Sequence, residues 1–284
     1  MVDNKIGDNL SMILKSPTYK MAELDTDFLQ SEELRAVRME LEYLKPELAF
    51  KRMNIRSTVI VFGGTQIVET HIAQDRLDKA KSALAAAPTD QRRMRDLARA
   101  ERVVAKSHYY EEARQFAKIC STNCHVDGQC DYVIVTGGGP GVMEAANRGA
   151  FEAEAPTIGL NITLPDEQHP NPYVTPELCF LFHYFAMRKM HFLVRAKALI
   201  VFPGGFGTLD ELFDALTLRQ THRMQEIPII LYGSDYWKQV VNFQFLADEG
   251  VIRDEHLDLV SFADSPAQAW DIIADYHGHP VKDI

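Results

Sequence analysis

At 284 residues and a formal net charge of −10, the chain is long enough for one α/β domain with additions and unsuited to a broad nucleic-acid footprint. Its apolar share, 46%, is that of an ordinary globular protein, yet no apolar run approaches the roughly 20 residues that cross a bilayer. The start, Met1-Val2-Asp3-Asn4-Lys5, lacks the basic end and apolar stretch of a secretory signal, so a cytoplasmic location is expected.

Residues 1–56 read as an N-terminal helical extension. Leu24, Phe28, Leu29, Leu34, Val37, Leu41 and Leu44 fall at the spacing of one or two amphipathic helices, and Pro46 is expected to end or bend the second. The remainder, 57–284, reads as one nucleotide-binding domain. Its first strand is Thr58 to Phe62, closed by Gly63-Gly64-Thr65-Gln66. A turn at that place lies on the ligand edge of a doubly wound sheet, so Gly64 and Thr65 are candidates for nucleotide contact, and equally for a tight turn. Residues 67–106 exceed one connection: an alanine-rich helix, a reset at Pro88-Thr89-Asp90 and a second, arginine-rich helix make an inserted hairpin. The arginines from Arg92 to Arg102 suit an anion, but the interspersed acids favour a solvated face. Tyr109 to Ala117 is then the usual crossover helix.

Four cysteines occur, and Cys120, Cys124 and Cys130 cluster with His125. Without paired CxxC knuckles the cluster reads as free thiols in a reducing compartment, and no metal or resident cofactor is expected. Asp131 to Thr136 is the second strand. It leads through Gly137-Gly138-Gly139-Pro140-Gly141 into a helix over Val142 to Phe151. The spacing is not G-x-G-x-x-G, so NAD is not inferred; a phosphate or ribose cradle is.

Thr157 to Ile162 is a third strand, followed by the polar loop Pro165 to Pro170. Leu178 to Phe182 reads as an edge strand entering a mostly buried helix, His183 to Val194. Arg188 interrupts that apolar helix, and a buried arginine needs an anionic partner. The partner is either a structural carboxylate or a ligand.

Lys197 to Phe202 is an apolar run without alternation, as a strand covered on both faces reads. It breaks into Pro203-Gly204-Gly205-Phe206-Gly207-Thr208-Leu209-Asp210-Glu211, and helical spacing resumes at Leu209, Leu212, Phe213 and Leu216. Thr208 sits where an N-cap belongs, and the free amides of a first helical turn favour an anion. Glu211, three residues on, is also the capping-box position, so the pair could simply finish the helix. A strand at Ile227 to Tyr232, a helix from Asp235 to Leu246, a short strand at Leu257 to Phe262 and a helix opened by Ser265-Pro266 complete the chain; the tail, His277 to Pro280, is expected to fray. The alternation gives an α/β, Rossmann-like, doubly wound and largely parallel sheet.

Three stretches carry a resemblance. Pro203 to Glu211 matches the PGGxGTxxE signature of the LOG-like family, long called lysine decarboxylases. Gly137 to Asn147 resembles its second glycine-rich element, with Gly138, Gly139, Gly141 and Met143 as the matching positions. Met187-Arg188-Lys189-Met190 resembles its Met-x-x-Arg-Lys region, although here Met directly precedes Arg. The family is identified with phosphoribohydrolases, in which water cleaves the N-glycosidic bond of a purine nucleoside 5′-monophosphate such as AMP or a cytokinin precursor.

The resemblance implies Arg188 and Glu211 as catalytic residues, with Gly204, Gly205, Gly207 and Thr208 at the phosphate. Lys189 is carried with the Arg-Lys region. Glu167, after Pro165-Asp166, stands where the family has a nucleotide-contacting glutamate. A homodimer or higher homo-oligomer is also implied. Two alternatives stand beside this: a nucleotide sensor or carrier without turnover, and a pyridoxal-phosphate decarboxylase using Lys189 or Lys197.

Overall fold

The computed structural model of the chain describes residues 2–123, 125–126, 129–164 and 169–278. The chain divides into two compact units, residues 1–45 and 46–284. The first holds α1 (Val2–Lys15), single 3₁₀ turns, α2 (Thr26–Gln30) and the beginning of α3 (Arg35–Arg52). Asp25 caps α2 by accepting from the Phe28 amide at 3.3 Å, and Arg38 donates to the Leu29 carbonyl at 2.9 Å. No described side chain in this unit is buried, and Ile6, Leu10, Met12 and Leu14 are each more than half exposed. Pro46 does not end α3. The helix runs on to Arg52, and Pro46, Ala49 and Phe50 are buried along it. Losing one backbone hydrogen bond inside a helix costs about 3 kcal/mol, which burial of a phenylalanine and its neighbours is large enough to offset.

The second unit is built on seven parallel strands: β1 (Thr58–Phe62), β2 (Val133–Thr136), β3 (Thr157–Ile162), β4 (Cys179–Phe182), β5 (Ala196–Val201), β6 (Ile229–Tyr232) and β7 (Val260–Ala263). Their order is β4-β3-β2-β1-β5-β6-β7. The alternation of strand and helix thus produces the doubly wound sheet expected of it, and every strand in that sheet is parallel. β1 is buried at every position because the sheet is covered on both sides. Val59 and Val61 join the core under α6 (His108–Thr122), α7 (Val142–Glu152) and α12 (Pro266–His277). Ile60 and Phe62 join the core under α8 (Phe185–Leu193) and α9 (Phe206–Gln220).

The inserted hairpin is present as α4 (Thr70–Ala86) and α5 (Gln91–Lys106). Asp90 caps α5, accepting from the Arg92 amide at 2.8 Å, which explains the reset after Pro88. Several boundaries differ from the pattern reading. β2 begins at Val133, because Tyr132 has φ +54° and the Asp131 carboxylate is engaged by the Ser57 hydroxyl at 2.7 Å. The helix expected over 235–246 is two, α10 (Ser234–Val240) and α11 (Phe243–Asp248), since Asn242 caps the second through the Phe245 amide at 3.0 Å. β7 starts at Val260, after a 3₁₀ segment from Asp254 to Leu259. At α12 the serine–proline start is as read: Ser265 accepts from the Gln268 amide at 3.2 Å.

The chain winds outward from β1 to β4 and returns to β5 on the other side of β1. That reversal is a topological switch point, and it opens a crevice at the carboxyl ends of β1, β2 and β5.

Candidate active site

A cleft of about 410 Å³ occupies this crevice. Its floor is the turn after β1, Gly63-Gly64-Thr65, beside Gly137, Gly139 and Met143 after β2. One wall is the start of α9, with Gly205, Gly207, Thr208 and Glu211; the other carries Asn161, Ile162, Leu164, Phe185 and Arg188.

The helix start explains much of this wall. α9 opens at Phe206 with Gly205 as N-cap, three residues before Thr208, the N-cap expected from the sequence. Thr208 is therefore inside the first turn, and Glu211 lies beyond the capping-box position. The capping explanation of Glu211 is thereby removed. An added Cβ on Gly205 or Gly207 would meet no protein atom within 4 Å, so packing does not dictate glycine at either. What glycine leaves there is open access to first-turn amides, where a helix concentrates partial positive charge. Gly204 is different: an added Cβ would lie 2.2 Å from the Thr208 hydroxyl.

Glu211 and Arg188 face each other with 3.8 Å between Oε1 and Nη2, and both side chains are largely buried. Burial pushes the Glu211 carboxyl up to about 7 against the pull of Arg188. Burial lowers the Arg188 guanidinium, and Glu211 opposes that shift. Arg188 is held from behind: its Nε donates to the Leu160 carbonyl at 2.7 Å, and its guanidinium lies 5.2 Å from the Phe192 ring centroid. Its Nη2 also lies where a Cβ on Gly137 would stand, 2.6 Å away, so that glycine makes room for the arginine.

The glycine turn after β2 is fixed by a buried polar knot. Thr136 donates to Asn147 Oδ1 at 2.7 Å and accepts from the Gly138 amide at 2.9 Å. Asn171 donates through Nδ2 to Asn147 Oδ1 at 2.9 Å and to the Gly139 carbonyl at 3.1 Å. Asn147 in turn donates to Thr157 at 2.7 Å. Each buried polar atom thus finds a partner, which sets the turn before any ligand arrives.

Of the residues singled out in the sequence, the cleft gathers Gly64, Thr65, Gly139, Met143, Arg188, Gly205, Gly207, Thr208 and Glu211. Gly138 and Gly141 shape its floor instead, with φ of +72° and +76°. Gly204 lines an adjoining cleft. Lys189 is turned away and pairs with Asp210 at 2.9 Å and Asp214 at 3.5 Å. Glu167 lies outside the described residues, as do Cys124 and the side chain of His125. Asn161, Leu164 and Phe185 were not singled out; Asn161 sits in a strand and carries no motif, so only the sheet order reveals it.

The family model described as "Possible lysine decarboxylase", the old label of the LOG-like family, matches residues 143–273. That span takes in the Arg-Lys region and the whole of the PGGxGTxxE stretch. The resemblance to the LOG-like family thus extends over residues 143–273. In Escherichia coli strains K12, O6:H1 and O157:H7, proteins named pyrimidine/purine nucleotide 5′-monophosphate nucleosidase are 33% identical to this chain over 124 residues. The match covers 39% of this chain and 27% of each relative, so the chain spans well under a third of the curated relatives it matches. The decarboxylase label finds no chemistry in the cleft: among the described residues no lysine lines it, so none stands ready to form a Schiff base there. No helix among the described residues is long and apolar enough to cross a membrane.

Proposed function

We infer that the chain hydrolyses the N-glycosidic bond of a purine nucleoside 5′-monophosphate, releasing free base and ribose 5-phosphate. One observation carries the reading: a buried carboxylate with a raised pKa faces a buried arginine one turn beyond an open helix N-terminus. The 5′-phosphate rests on the amides of Gly205, Gly207 and Thr208. The base lies toward the apolar side chains of Met143, Ile162, Leu164 and Phe185, and the sugar falls between them and Glu211.

As the C–N bond lengthens, the sugar gains oxocarbenium character, and the ionised Glu211 stabilises that charge. The same carboxylate orients the attacking water and accepts its proton, while the departing nitrogen takes up a proton in exchange. Arg188 keeps Glu211 in place and offers positive charge to an anionic oxygen of the substrate. The relatives' printed activity on nucleotide 5′-monophosphates supports the reading. AMP and N6-modified adenine nucleotides are the first substrates to try.

Incubating the protein with AMP and separating the products by HPLC tests it. Release of adenine with ribose 5-phosphate is expected; tight AMP binding without base release would make the protein a nucleotide sensor or carrier. A homodimer is proposed through α8 and α9, where Phe206 is 93% exposed and Phe185 53%. Light scattering that finds a monomer at micromolar concentration overturns that part alone.

A further inference from the structure

A second cleft, of about 530 Å³, lies across the Pro203–Gly205 turn from the first. The two share Gly64, Thr65 and Gly205, so they meet at a waist where the β1 and β5 turns come together. The far wall comes from the inserted hairpin. Arg99, Arg102 and Lys106 of α5 line it, at helical spacings that place them on one face. Tyr236 of α10 closes the side, its hydroxyl donating to the Gly204 carbonyl at 2.6 Å.

The charge of this wall is opposite to that of the molecule as a whole. In a chain of net charge −10, the lining contains three cationic side chains and no carboxylate. Arg99 has Asp96 at 3.6 Å, outside the cleft. Among the described residues neither Arg102 nor Lys106 has a carboxylate within ion-pair distance, although Lys106 is half-buried over the Tyr236 ring, 5.8 Å from its centroid. Elsewhere on the same helix the arginine–acid pairing is local: Arg93 pairs with Asp90 at 3.6 Å. Arg102 and Lys106 therefore leave positive charge without a carboxylate partner on the face turned to the glycine turn, which attracts anions into a concave space. Two guanidinium groups and an ammonium are the donors that recognise phosphoryl oxygens.

We propose that this annex is a second phosphoryl-binding subsite, distinct from the amides of α9. The anion is either a distal phosphoryl group of a nucleotide whose first phosphate rests on those amides, reaching through the waist, or a free pyrophosphate. The tethered form rests on the nucleotide reading above; the free form does not.

Isothermal calorimetry on the full chain, with pyrophosphate, AMP and ADP as separate titrants, tests it against the double variant Arg102→Ala, Lys106→Ala. Both side chains lie outside the cores, so the variant keeps the fold, which circular dichroism checks. The wild type binds pyrophosphate, and the variant weakens it about tenfold or more, the scale of losing charge-assisted hydrogen bonds. AMP affinity changes less than about twofold, because its phosphate does not use the annex. A wild-type preference for ADP over AMP that disappears in the variant identifies the tethered source. Equal ADP and AMP affinities, with pyrophosphate and AMP binding together, identify the free one. Pyrophosphate and ADP affinities that are the same in wild type and variant, or no pyrophosphate binding together with no ADP preference, overturn the annex while leaving the AMP reading intact. Failure of AMP to bind, with pyrophosphate still dependent on Arg102 and Lys106, overturns the nucleotide reading and leaves the annex.

Discussion

The two clefts either side of the Pro203–Gly205 turn share a waist and differ in how they treat charge. In the first, one carboxylate and one guanidinium are buried against each other, and their solvation is distorted enough to lift Glu211 to about 7. In the annex, three cations face a partly open space with no carboxylate among them. Burial changes what a group can do to a bond; exposure leaves it able to attract and hold. On the proposed reading, the contrast separates reacting residues from recognising ones without appeal to any motif.

The largest effect should come from breaking the buried side. Glu211→Gln keeps the shape but removes the carboxylate, and kcat on the true substrate should fall ~10²–10⁴-fold. Arg188→Ala should lower kcat by about a hundredfold or more, since Glu211 loses its partner and the substrate an anion contact. Steady-state kinetics of folded variants check both; unchanged turnover in Glu211→Gln removes the residue from the chemistry. Next in size, Gly137→Ala forces a methyl group into the space held by Arg188 Nη2. A kcat loss of roughly tenfold or more, with smaller change in KM, is expected from moving the guanidinium. A Gly137→Ala enzyme as fast as the parent would mean that the arginine's position is not critical.

The pH dependence sharpens the comparison further. If the ionised Glu211 works, kcat/KM in the free enzyme rises with pH through about 7. A rate falling through that range would make Glu211 an acid instead. Stability should run the opposite way. Because burial raises the folded pKa from 4.5 to about 7, the folded state holds a proton across that window that the unfolded chain has released. Folding is therefore weakened as pH rises through the window, and the full cost is present above it. Glu211→Gln should stabilise the protein at about pH 8 by on the order of 1–3 kcal/mol and leave it nearly unchanged at about pH 4.5. Urea unfolding at the two pH values measures this, and equal stability of the two proteins at pH 8 would deny the buried cost.

How much of this was legible in the sequence depends on the range of the interaction. The apolar runs of β1 and β5 and their glycine punctuation are local, and they placed the sheet, the turns and the hairpin insertion. Asp90 and Ser265 announced their helices because a cap is a neighbour-to-neighbour bond. Pro46 misled because its cost is local and its compensation, the burial of Phe50, is tertiary. α9 was read three residues short because its first turn is glycine and exposed phenylalanine, which have no apolar period to detect. In the candidate site, the meeting of Arg188 with an acidic partner was legible from its apolar helix, and Glu211 from the resembling signature. Asn147, Asn161 and Asn171 were not: each acts on a partner at least ten residues away, and an asparagine in a helix, strand or loop has no distinguishing spacing. The arginines of α5 read as a solvated face, and Arg99 and Arg102 are indeed exposed; nothing in the sequence shows that they and Lys106 also line the cleft beside the turn after β5.

The hairpin that supplies those cations joins a strand to its crossover helix and pairs with no strand itself. Residues 99, 102 and 106 can therefore be exchanged without shifting the register of the sheet or the depth of Glu211. An engineer could rewrite the charge of that neighbouring cleft, from cationic to anionic or neutral, and still keep the Glu211–Arg188 pair beside it.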